Sequence, residues 1–296
     1  MNMAYDRPGS AEGGTGVASD SDGSMKLPAY AGMMADYHRA FDPELRGVVA
    51  ALRVRPGDLV VDVASGDGSY SRWLAERVGP AGKVLAVDVS PAFLDLAQRK
   101  IGSASVADRI RFVRMNLDRP ALVEAAADLA WCAQSLYSLP DPVRAVRRMA
   151  RLVRDGGRIA VFESDELHHV SLPWPVDVEL ALRRAELEAF EARSDRPAKF
   201  YIARDLPRIF REAGLPGCDV QSFAFCRRAP FDAPTRGFLS AYLADLRERT
   251  APRLSVAMRS RVDELADPGS PLYLLDDPDS LAVCVDHLAV SPVRRA

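Results

Sequence analysis

Two glycines and an acidic residue between positions 66 and 88 have the types and the spacing of a nucleoside-binding site. Gly66 and Gly68 allow a sharp turn and let a ligand approach backbone amides at the start of a helix. Asp88 follows Gly68 by 20 residues, and a carboxylate at that distance can accept hydrogen bonds from both hydroxyls of a ribose. The stretch therefore predicts that a nucleoside binds here.

The elements that position these residues must be a strand, a tight loop, a helix and a second strand. The apolar run Leu59–Val63 predicts the first strand, and Tyr70, Trp73 and Leu74 follow at helical spacing. A second apolar run, residues 84–87, ends at Asp88. Both strands then point their carboxyl ends to the same edge of the sheet, where open α/β sheets bind ligands.

The charge of the loop indicates which nucleoside ligand fits. A dinucleotide loop usually has a third glycine where this chain has Ser71, and two carboxylates, Asp62 and Asp67, stand in or beside the loop. At ~4 Å and an effective dielectric of about 20, each would repel a phosphate charge by about 4 kcal/mol. A ligand with an ammonium and a sulfonium is attracted instead, and S-adenosylmethionine (SAM) is the common nucleoside of that kind.

The segments VVDVASGDG (60–68) and LAVDVS (85–90) resemble the first two motifs of the class I SAM-dependent methyltransferases. One departure is Ala64, where that family most often has glycine. The later order of a strand, a helix, a Gly156-Gly157 turn and a fifth strand over 158–163 is similar as well. The resemblance covers about residues 45–165.

This resemblance implies a role for each cofactor-binding residue. Asp62 and the loop from Ala64 to Gly68 would meet the methionine moiety, Asp88 the ribose and Asn116 the adenine amino group. An amide offers both a donor and an acceptor, so Asn116 can replace the commoner Asp, and Asp118 is its rival if the third strand ends later. The expected cofactor-binding set is Asp62, Ala64, Ser65, Gly66, Gly68, Asp88, Val89, Met115, Asn116 and Gln134.

The fold expected from these patterns is α/β, with a doubly wound, mostly parallel sheet of seven strands that is Rossmann-like and carries helical cap insertions. Residues 1–26 are expected to be a disordered leader, and 27–296 a single domain with its core at 45–165. About fifty residues separate the last two predicted strands, which favours a covered small-molecule pocket over a groove for a polymer. The expected cap and substrate elements are residues 27–44, 166–214 and 230–280.

Composition excludes several classes of protein. A net charge of −2, from 39 basic and 41 acidic residues, gives no polycationic surface for nucleic acid. There is no apolar run of about 18 residues and no secretory signal pattern, so the protein is expected in the cytoplasm and away from membranes. The four cysteines lack metal-binding spacing, so no metal is expected. A homodimer is left open.

Three side chains near the expected strand ends are candidates for acid–base or positioning roles. His168 and His169 follow the fifth strand, and a neutral imidazole can take a proton near pH 7. Tyr137 follows the fourth strand and could position a substrate. His287, within an apolar strand, is expected to be a hydrogen-bonded core residue, whereas His38 could line a lid.

The expected function is methyl transfer from SAM to an oxygen or nitrogen of a small organic molecule, with carbon as a further option. Such a displacement depends mainly on aligning the two reactants, so a general base is not obligatory for an amine or an acidic phenol. One alternative is a protein of the same fold that binds SAM for another reaction or senses it. A second is an NAD-dependent oxidoreductase.

Overall fold

The computed structural model describes residues 26–119, 122–166, 169–193 and 201–295 of the chain. The expected disordered leader, residues 1–26, lies outside the described residues except for Lys26. In the described part of the chain, no helix has both the length and the apolar character needed to cross a membrane.

The strands of the described residues form one seven-stranded sheet. They are β1 (Leu59–Val63), β2 (Lys83–Asp88), β3 (Ile110–Arg114), β4 (Ala127–Ala133), β5 (Val153–Ser164), β6 (Asp219–Arg228) and β7 (Leu281–Pro292). Their order across the sheet is β3-β2-β1-β4-β5-β7-β6. Neighbours among β1 to β5 are parallel, whereas β7 is antiparallel to both β5 and β6. The expected fold class is confirmed.

Helices cover both faces of this sheet. They are α1 (Ala31–Ala40), α2 (Asp42–Ala51), α3 (Ser69–Val78), α4 (Pro91–Ile101), α5 (Pro142–Leu152), α6 (Val176–Arg193), α7 (Ile202–Glu212), α8 (Ala233–Thr250) and α9 (Val256–Ala266). Local sequence explains several helix starts. Ser90 caps α4 by accepting a hydrogen bond from the Phe93 amide, with Pro91 at the first helical position.

Two apolar layers separate the helices from the sheet. Trp131 and Phe162 lie in the layer beneath α1, α2, α3 and α8, on the side that we call the cap face. Cys132 and Val161 point the other way, into the layer beneath α5 and α7. Because residues alternate along each strand, Asp62, next to Trp131 in the sheet, also faces the cap.

The sequence assigned one helix to the wrong layer. Residues 166–214 were expected to belong to the cap, but α7 packs with α5 on the opposite face. Its inward side chains explain this position, since Leu206, Ile209 and Phe210 are buried in that layer. On the cap face, α1 and α8 pack against each other.

Two strand boundaries also differ from those predicted. β5 begins at Val153 rather than at residue 158, because Gly156 and Gly157 lie within the strand at a shift of register against β4. A side chain at Gly157 would come within 2.5 Å of Val153 Cγ1, so this position requires glycine. The apolar pattern of the sequence predicts the fourth strand over residues 128–136, but β4 ends at Ala133, because Gln134 takes a positive φ of 48°.

Candidate functional site

The loop from β1 to α3 makes its turn with three residues in the left-handed backbone region. These are Ala64, Gly66 and Gly68, with φ of 56°, 52° and 75°. A Cβ on Gly68 would lie 2.8 Å from Ile101 Cδ1, so glycine is needed there for packing as well as for conformation. Ala64 is not a mild replacement, because a residue with a Cβ in this region costs about 1–2 kcal/mol.

Most amides of this loop are already used within the protein. The amide of Ser65 donates to the Val87 carbonyl at 3.0 Å, and that of Gly66 donates to Asp88 Oδ2 at 2.9 Å. The amide of Gly68 donates to the Ser65 carbonyl at 3.0 Å. The expectation of free amides for a ligand is therefore corrected at these positions. They do not offer a diphosphate the hydrogen bonds that a phosphate-binding loop provides.

Asp88 holds the loop and the end of β2 together. Its Oδ2 accepts from Gly66, and its Oδ1 accepts from the Ser90 amide at 2.8 Å. Burial raises the pKa of this carboxyl, and the backbone hydrogen bonds partly offset the effect. Each oxygen keeps a lone pair, so the carboxylate can still accept hydrogen bonds from a ribose.

Apolar and amide groups stand next to Asp88. Val89 exposes 58% of its surface, which is unusual for a valine beside a buried carboxylate and suits contact with a purine. Met115 is buried, and its amide donates to the Asp88 carbonyl at 3.0 Å. Asn116 is exposed and accepts from the Asp118 amide at 2.8 Å, which leaves its NH₂ available. The carboxylate of Asp118 pairs with Arg148, which disfavours it as the adenine partner.

The two carboxylates near the loop have different environments. Asp62 is buried on the cap face and accepts from Ser71 Oγ at 2.5 Å, and burial raises its pKa to about 7. Burial acts in the same direction on Asp67. However, His38 and Lys100, whose Nζ lies 2.6 Å away, outweigh it and hold its pKa below the usual range. Since Asp67 is paired with two cationic or hydrogen-bonding groups, it adds little to the repulsion of phosphate that was expected from Asp62 and Asp67, and Asp62 remains as the source of that repulsion.

On the cap face, α1 brings a tyrosine to a carboxylate far along the chain. The Tyr37 hydroxyl donates to Asp286 Oδ2 at 3.1 Å, and both residues are fully buried. Asp286 pairs in the sheet with Ser164, the last residue of β5, which places it near the ligand-binding edge. Burial raises the pKa of Asp286 to about 6.

Gln134 connects this pair to the end of β4. Its amide donates to the Phe162 carbonyl at 2.6 Å, and its Nε2 donates to Ser164 Oγ at 3.2 Å. Its positive φ lies in the region that strains residues other than glycine. The strained backbones of Gln134 and Ala64 thus follow neighbouring strands at one edge of the sheet.

Several buried polar atoms at this edge have no hydrogen-bond partner among the described residues. They are Ser65 Oγ, Tyr70 OH, Trp131 Nε1, His169 Nδ1 and Asp286 Oδ1. The Tyr70 ring lies 5.5 Å from that of Trp131 and 5.4 Å from that of His38, so the group is contiguous with the loop. An unpartnered buried polar group costs about 1–3 kcal/mol. Such a group of atoms fits a site that binds polar ligands.

Comparison with known proteins adds to this geometry. A family model for a methyltransferase domain matches residues 61–161, which run from β1 to β5 and contain the loop, Asp88 and Asn116. These residues form a class I SAM-dependent methyltransferase domain. Its cofactor is S-adenosylmethionine, so the NAD-dependent alternative is set aside.

Curated relatives of this methyltransferase align with different shares of the chain. The demethylmenaquinone methyltransferase of Symbiobacterium thermophilum is 27% identical over 221 residues, which cover 69% of this chain and 84% of that protein. The ubiquinone/menaquinone biosynthesis C-methyltransferase UbiE of Hahella chejuensis is 32% identical over 110 residues. That match covers 37% of this chain and only 44% of the relative.

Solved structures share the fold of this methyltransferase at low sequence identity. A Bacillus halodurans protein superposes with a TM-score of 0.55 at 14% identity, over 86% of this chain and 100% of that one. The YcgJ protein of Bacillus subtilis has a TM-score of 0.53 at 13% identity, over 86% of this chain and 99% of that one.

The three residues predicted for catalysis have different outcomes in the methyltransferase. His169 is buried on the cap face, 6.4 Å from the Tyr37 ring, and burial lowers the pKa of its imidazole well below the usual range. Tyr137 is half-buried against the layer beneath α5 and α7, so the structure does not group it with His169. His168 lies outside the described residues.

The other two histidines are hydrogen-bonded. His38 places its Nδ1 3.4 Å from Asp67 Oδ1, so it joins the cap helix α1 to the loop. His287 lies 2.8 Å from Ser222 Oγ through its Nδ1, as a hydrogen-bonded strand residue, although its side chain is partly exposed.

Sequence reasoning missed Tyr37, Tyr70 and Asp286. A signal for Asp286 existed, since it occupies an inward position between Cys284 and Leu288 in an alternating apolar strand. A carboxylate at such a position indicates a binding or catalytic role, because burying a carboxylate without a cation is costly. No comparable signal distinguished Tyr37 or Tyr70 from other apolar helix residues.

Proposed function

We propose that this methyltransferase methylates a ring carbon of a small, uncharged aromatic molecule that carries a hydroxyl group, of the reduced-quinone type. The names of the two relatives described above support this acceptor class, since they are quinone-pathway methyltransferases and one is a C-methyltransferase. The initial expectation of oxygen or nitrogen as the accepting atom gives way to carbon on this ground.

The observation that carries the proposal is the buried Tyr37–Asp286 pair among aromatic side chains. The Tyr37 ring lies 5.3 Å from that of Phe238 and 5.2 Å from that of Phe41, so flat apolar groups pack against the polar pair. Aromatic walls favour a planar ring, and a carboxylate favours a hydroxyl that donates a hydrogen bond.

Charge favours a neutral acceptor. The buried Arg249 donates to Glu186 at 2.6 Å, and Arg183 donates to the same carboxylate at 2.8 Å. Lys100 is paired with Asp67. Since these three cations are already compensated, they are poorly placed to bind a phosphate or carboxylate on the acceptor.

The cofactor assignments belong to the same proposal. Asp62 and the loop would hold the methionine moiety, Asp88 the ribose and Asn116 the adenine, with further contacts from Val89, Met115 and Gln134. We also infer that residues 27–296 fold as one domain, because β6 and β7, from the last third of the chain, extend the same sheet.

Product analysis with isotopically labelled SAM tests the proposal. The purified protein is incubated with naphthohydroquinone, with its dimethyl ether and with naphthylamine. We expect label on a ring carbon of naphthohydroquinone and none on the ether, which has no hydroxyl to donate. Label on oxygen, or on naphthylamine alone, would contradict the proposed acceptor.

A further inference from the structure

Asp286 is a buried carboxylate that faces the cap, and no described residue on that side places a cation against it. It is 0% exposed, its Oδ2 accepts a hydrogen bond from Tyr37, and its Oδ1 has no hydrogen-bond partner among the described residues, although the neighbouring Ser164 side chain lowers its pKa. A structural role would normally satisfy both oxygens. The free Oδ1 therefore points to a ligand with a hydroxyl or amine donor.

The titratable and polar groups around Asp286 come from several elements. Tyr37 reaches it from α1, and Ser164 lies opposite it on β5. Cys284 shares its strand face, whereas His287 lies on the other face, 3.5 Å from Asp165. Among the described residues, the groups that face this carboxylate on the cap side are therefore neutral.

Tyr70 connects Asp286 to the cofactor loop. It lies in the first turn of α3, and its hydroxyl is buried without a partner in the described part of the chain. Burial raises the pKa of this phenol, and the negative charges of Asp286, Asp62 and Asp67 raise it further. The Tyr70 ring lies 5.4 Å from that of His38, and the His38 ring lies 5.9 Å from that of Tyr37. Tyr70 therefore links the loop to the Tyr37–Asp286 pair, and Asp286 faces the same side of the sheet as Asp62.

We propose that Asp286 is a catalytic base whose carboxylate accepts the proton of the acceptor's hydroxyl group, and that Tyr37 is the positioning residue that holds it. This inference rests on the proposed function, since it needs a hydroxyl on the acceptor.

The proton and the electrons balance in this step. The hydroxyl proton passes to Asp286 Oδ1, and the electron pair of the broken O–H bond increases the electron density at the neighbouring ring carbon. When bound, the cofactor supplies a methyl group on a positively charged sulfur, which keeps the electron pair of the broken carbon–sulfur bond. The methylated carbon then loses its hydrogen to water as a proton while Asp286 returns its own to the oxygen. One proton is released overall.

The pKa of Asp286 near 6 suits this role. The carboxylate is ionised at neutral pH, yet it is more basic than an ordinary aspartate. An ordinary phenol has a pKa of about 10, well above that of Asp286, so complete transfer of the proton before reaction is unfavourable. The proton must therefore move together with methyl transfer rather than before it.

Kinetics of the Asp286→Asn variant with naphthohydroquinone test the base. We expect kcat to fall by about 100-fold or more, the usual effect of losing a general base, with SAM affinity changed less than about threefold. The wild-type activity should rise with pH through a midpoint near 6, which is the acid limb of the pH–activity profile. The variant should lose this rise. Asp165→Asn is the matched control, because Asp165 is a buried carboxylate that pairs with Arg204 at 3.0 Å instead. It should keep the limb.

Tyr37→Phe separates positioning from folding, because it leaves the carboxylate in place. The Tyr37 hydrogen bond lowers the pKa of Asp286, so its removal should shift the acid limb to higher pH. If Asp286→Asn stays within threefold of wild type, or if neither variant moves the limb, the proposal is overturned.

Binding of para-nitrophenol to the complex with S-adenosylhomocysteine gives a readout that does not need turnover. A carboxylate that accepts the probe's hydrogen bond stabilises its protonated form, so the bound phenol should ionise at higher pH in wild type than in Asp286→Asn. This titration tests Asp286 even if naphthohydroquinone is not methylated, which would contradict the proposed function alone. A probe that does not bind, or that titrates alike in both proteins, would contradict the base.

Discussion

The two halves of the ligand-binding edge are assembled in different ways. In the cofactor half, formed by β1, β2, α3 and α4, each carboxylate has a partner close by in the chain. Asp88 binds Gly66, 22 residues away, and Asp67 binds Lys100, 33 residues away. In the half proposed to bind the acceptor, which we call the acceptor half and which is formed by α1, β4, β5, β7 and α8, Tyr37 and Asp286 are separated by 249 residues.

The difference also concerns how completely the polar groups are satisfied. Both oxygens of Asp88 accept backbone hydrogen bonds, whereas Asp286 Oδ1 and His169 Nδ1 have no partner in the described part of the chain. Ser65 Oγ and Tyr70 OH, in the cofactor half, also lack partners among the described residues, so the contrast concerns the carboxylates: Asp88 is held by the backbone, whereas Asp286 keeps an oxygen for a ligand. The predictions below test this contrast, from the largest expected effect to the smallest.

Glu163, in the acceptor half, should make the protein less stable in alkali. It is buried on the opposite face from Asp286, and burial raises its pKa to about 8, although the Ser135 and Leu136 amides donate to it. Because the pKa of Glu163 is higher in the folded protein than in the unfolded chain, its contribution to stability is complete below the pKa of the unfolded chain. That contribution is lost as the pH rises through 8. Between pH 5 and pH 9, the free energy of unfolding of Glu163→Gln should therefore rise by about 4 kcal/mol relative to that of wild type.

Urea unfolding at the two pH values measures this change. Asp95→Asn is the control, because its carboxylate is exposed and pairs only with Arg99 at the surface. That variant should follow the wild-type pH dependence. If the free energy of unfolding changed equally with pH in Glu163→Gln and in wild type, Glu163 would not be held protonated by burial.

Asp88→Ala should weaken SAM binding by at least about 100-fold, or about 3 kcal/mol, because it removes the ribose acceptor and the anchor of the loop. Calorimetric titration with SAM and S-adenosylhomocysteine measures the loss. Asp88→Asn, which keeps one acceptor oxygen for the loop amide, should lose less. Unchanged affinity in Asp88→Ala would remove the ribose assignment.

Lys100→Met should destabilise the fold by about 2 kcal/mol at pH 7, because it leaves the buried Asp67 carboxylate with weaker partners. The pKa of Asp67 is lowered in the wild type, so the stabilisation is present above the usual aspartate range and is lost as pH falls. The difference in free energy of unfolding between Lys100→Met and wild type should therefore become smaller in acid. This pH dependence is opposite in sign to that expected for Glu163.

Lys83→Met is the matched control for Lys100→Met. Lys83 is exposed, and among the described residues its Nζ donates to the Asp108 carbonyl at 3.0 Å and to no carboxylate, so its loss should cost less than about 0.5 kcal/mol. Equal effects of the two lysine substitutions would indicate that the Asp67 pair contributes nothing beyond a surface contact.

Ala64→Gly should stabilise the protein by about 0.5–1 kcal/mol, because glycine adopts the positive φ of this position without strain. Ala50→Gly, on the exposed side of α2, is the control with the opposite sign, at a cost of about 1 kcal/mol. Thermal unfolding of both variants measures the effect. A destabilised Ala64→Gly would mean that the Ala64 methyl group contributes packing that exceeds the strain.

The amino-acid sequence alone determined the fold class, the strand–loop–helix unit, and the placement of Gly66, Gly68 and Asp88. These features depend on interactions within a few tens of residues, where apolar periodicity, glycine conformation and capping act directly. Tertiary structure alone decided the pairing of Asp67 with Lys100, the strained turn at Gln134, the position of α7 and the meeting of Tyr37 with Asp286. Each of these depends on which distant surfaces pack together, and a one-dimensional pattern of apolar residues does not specify that choice.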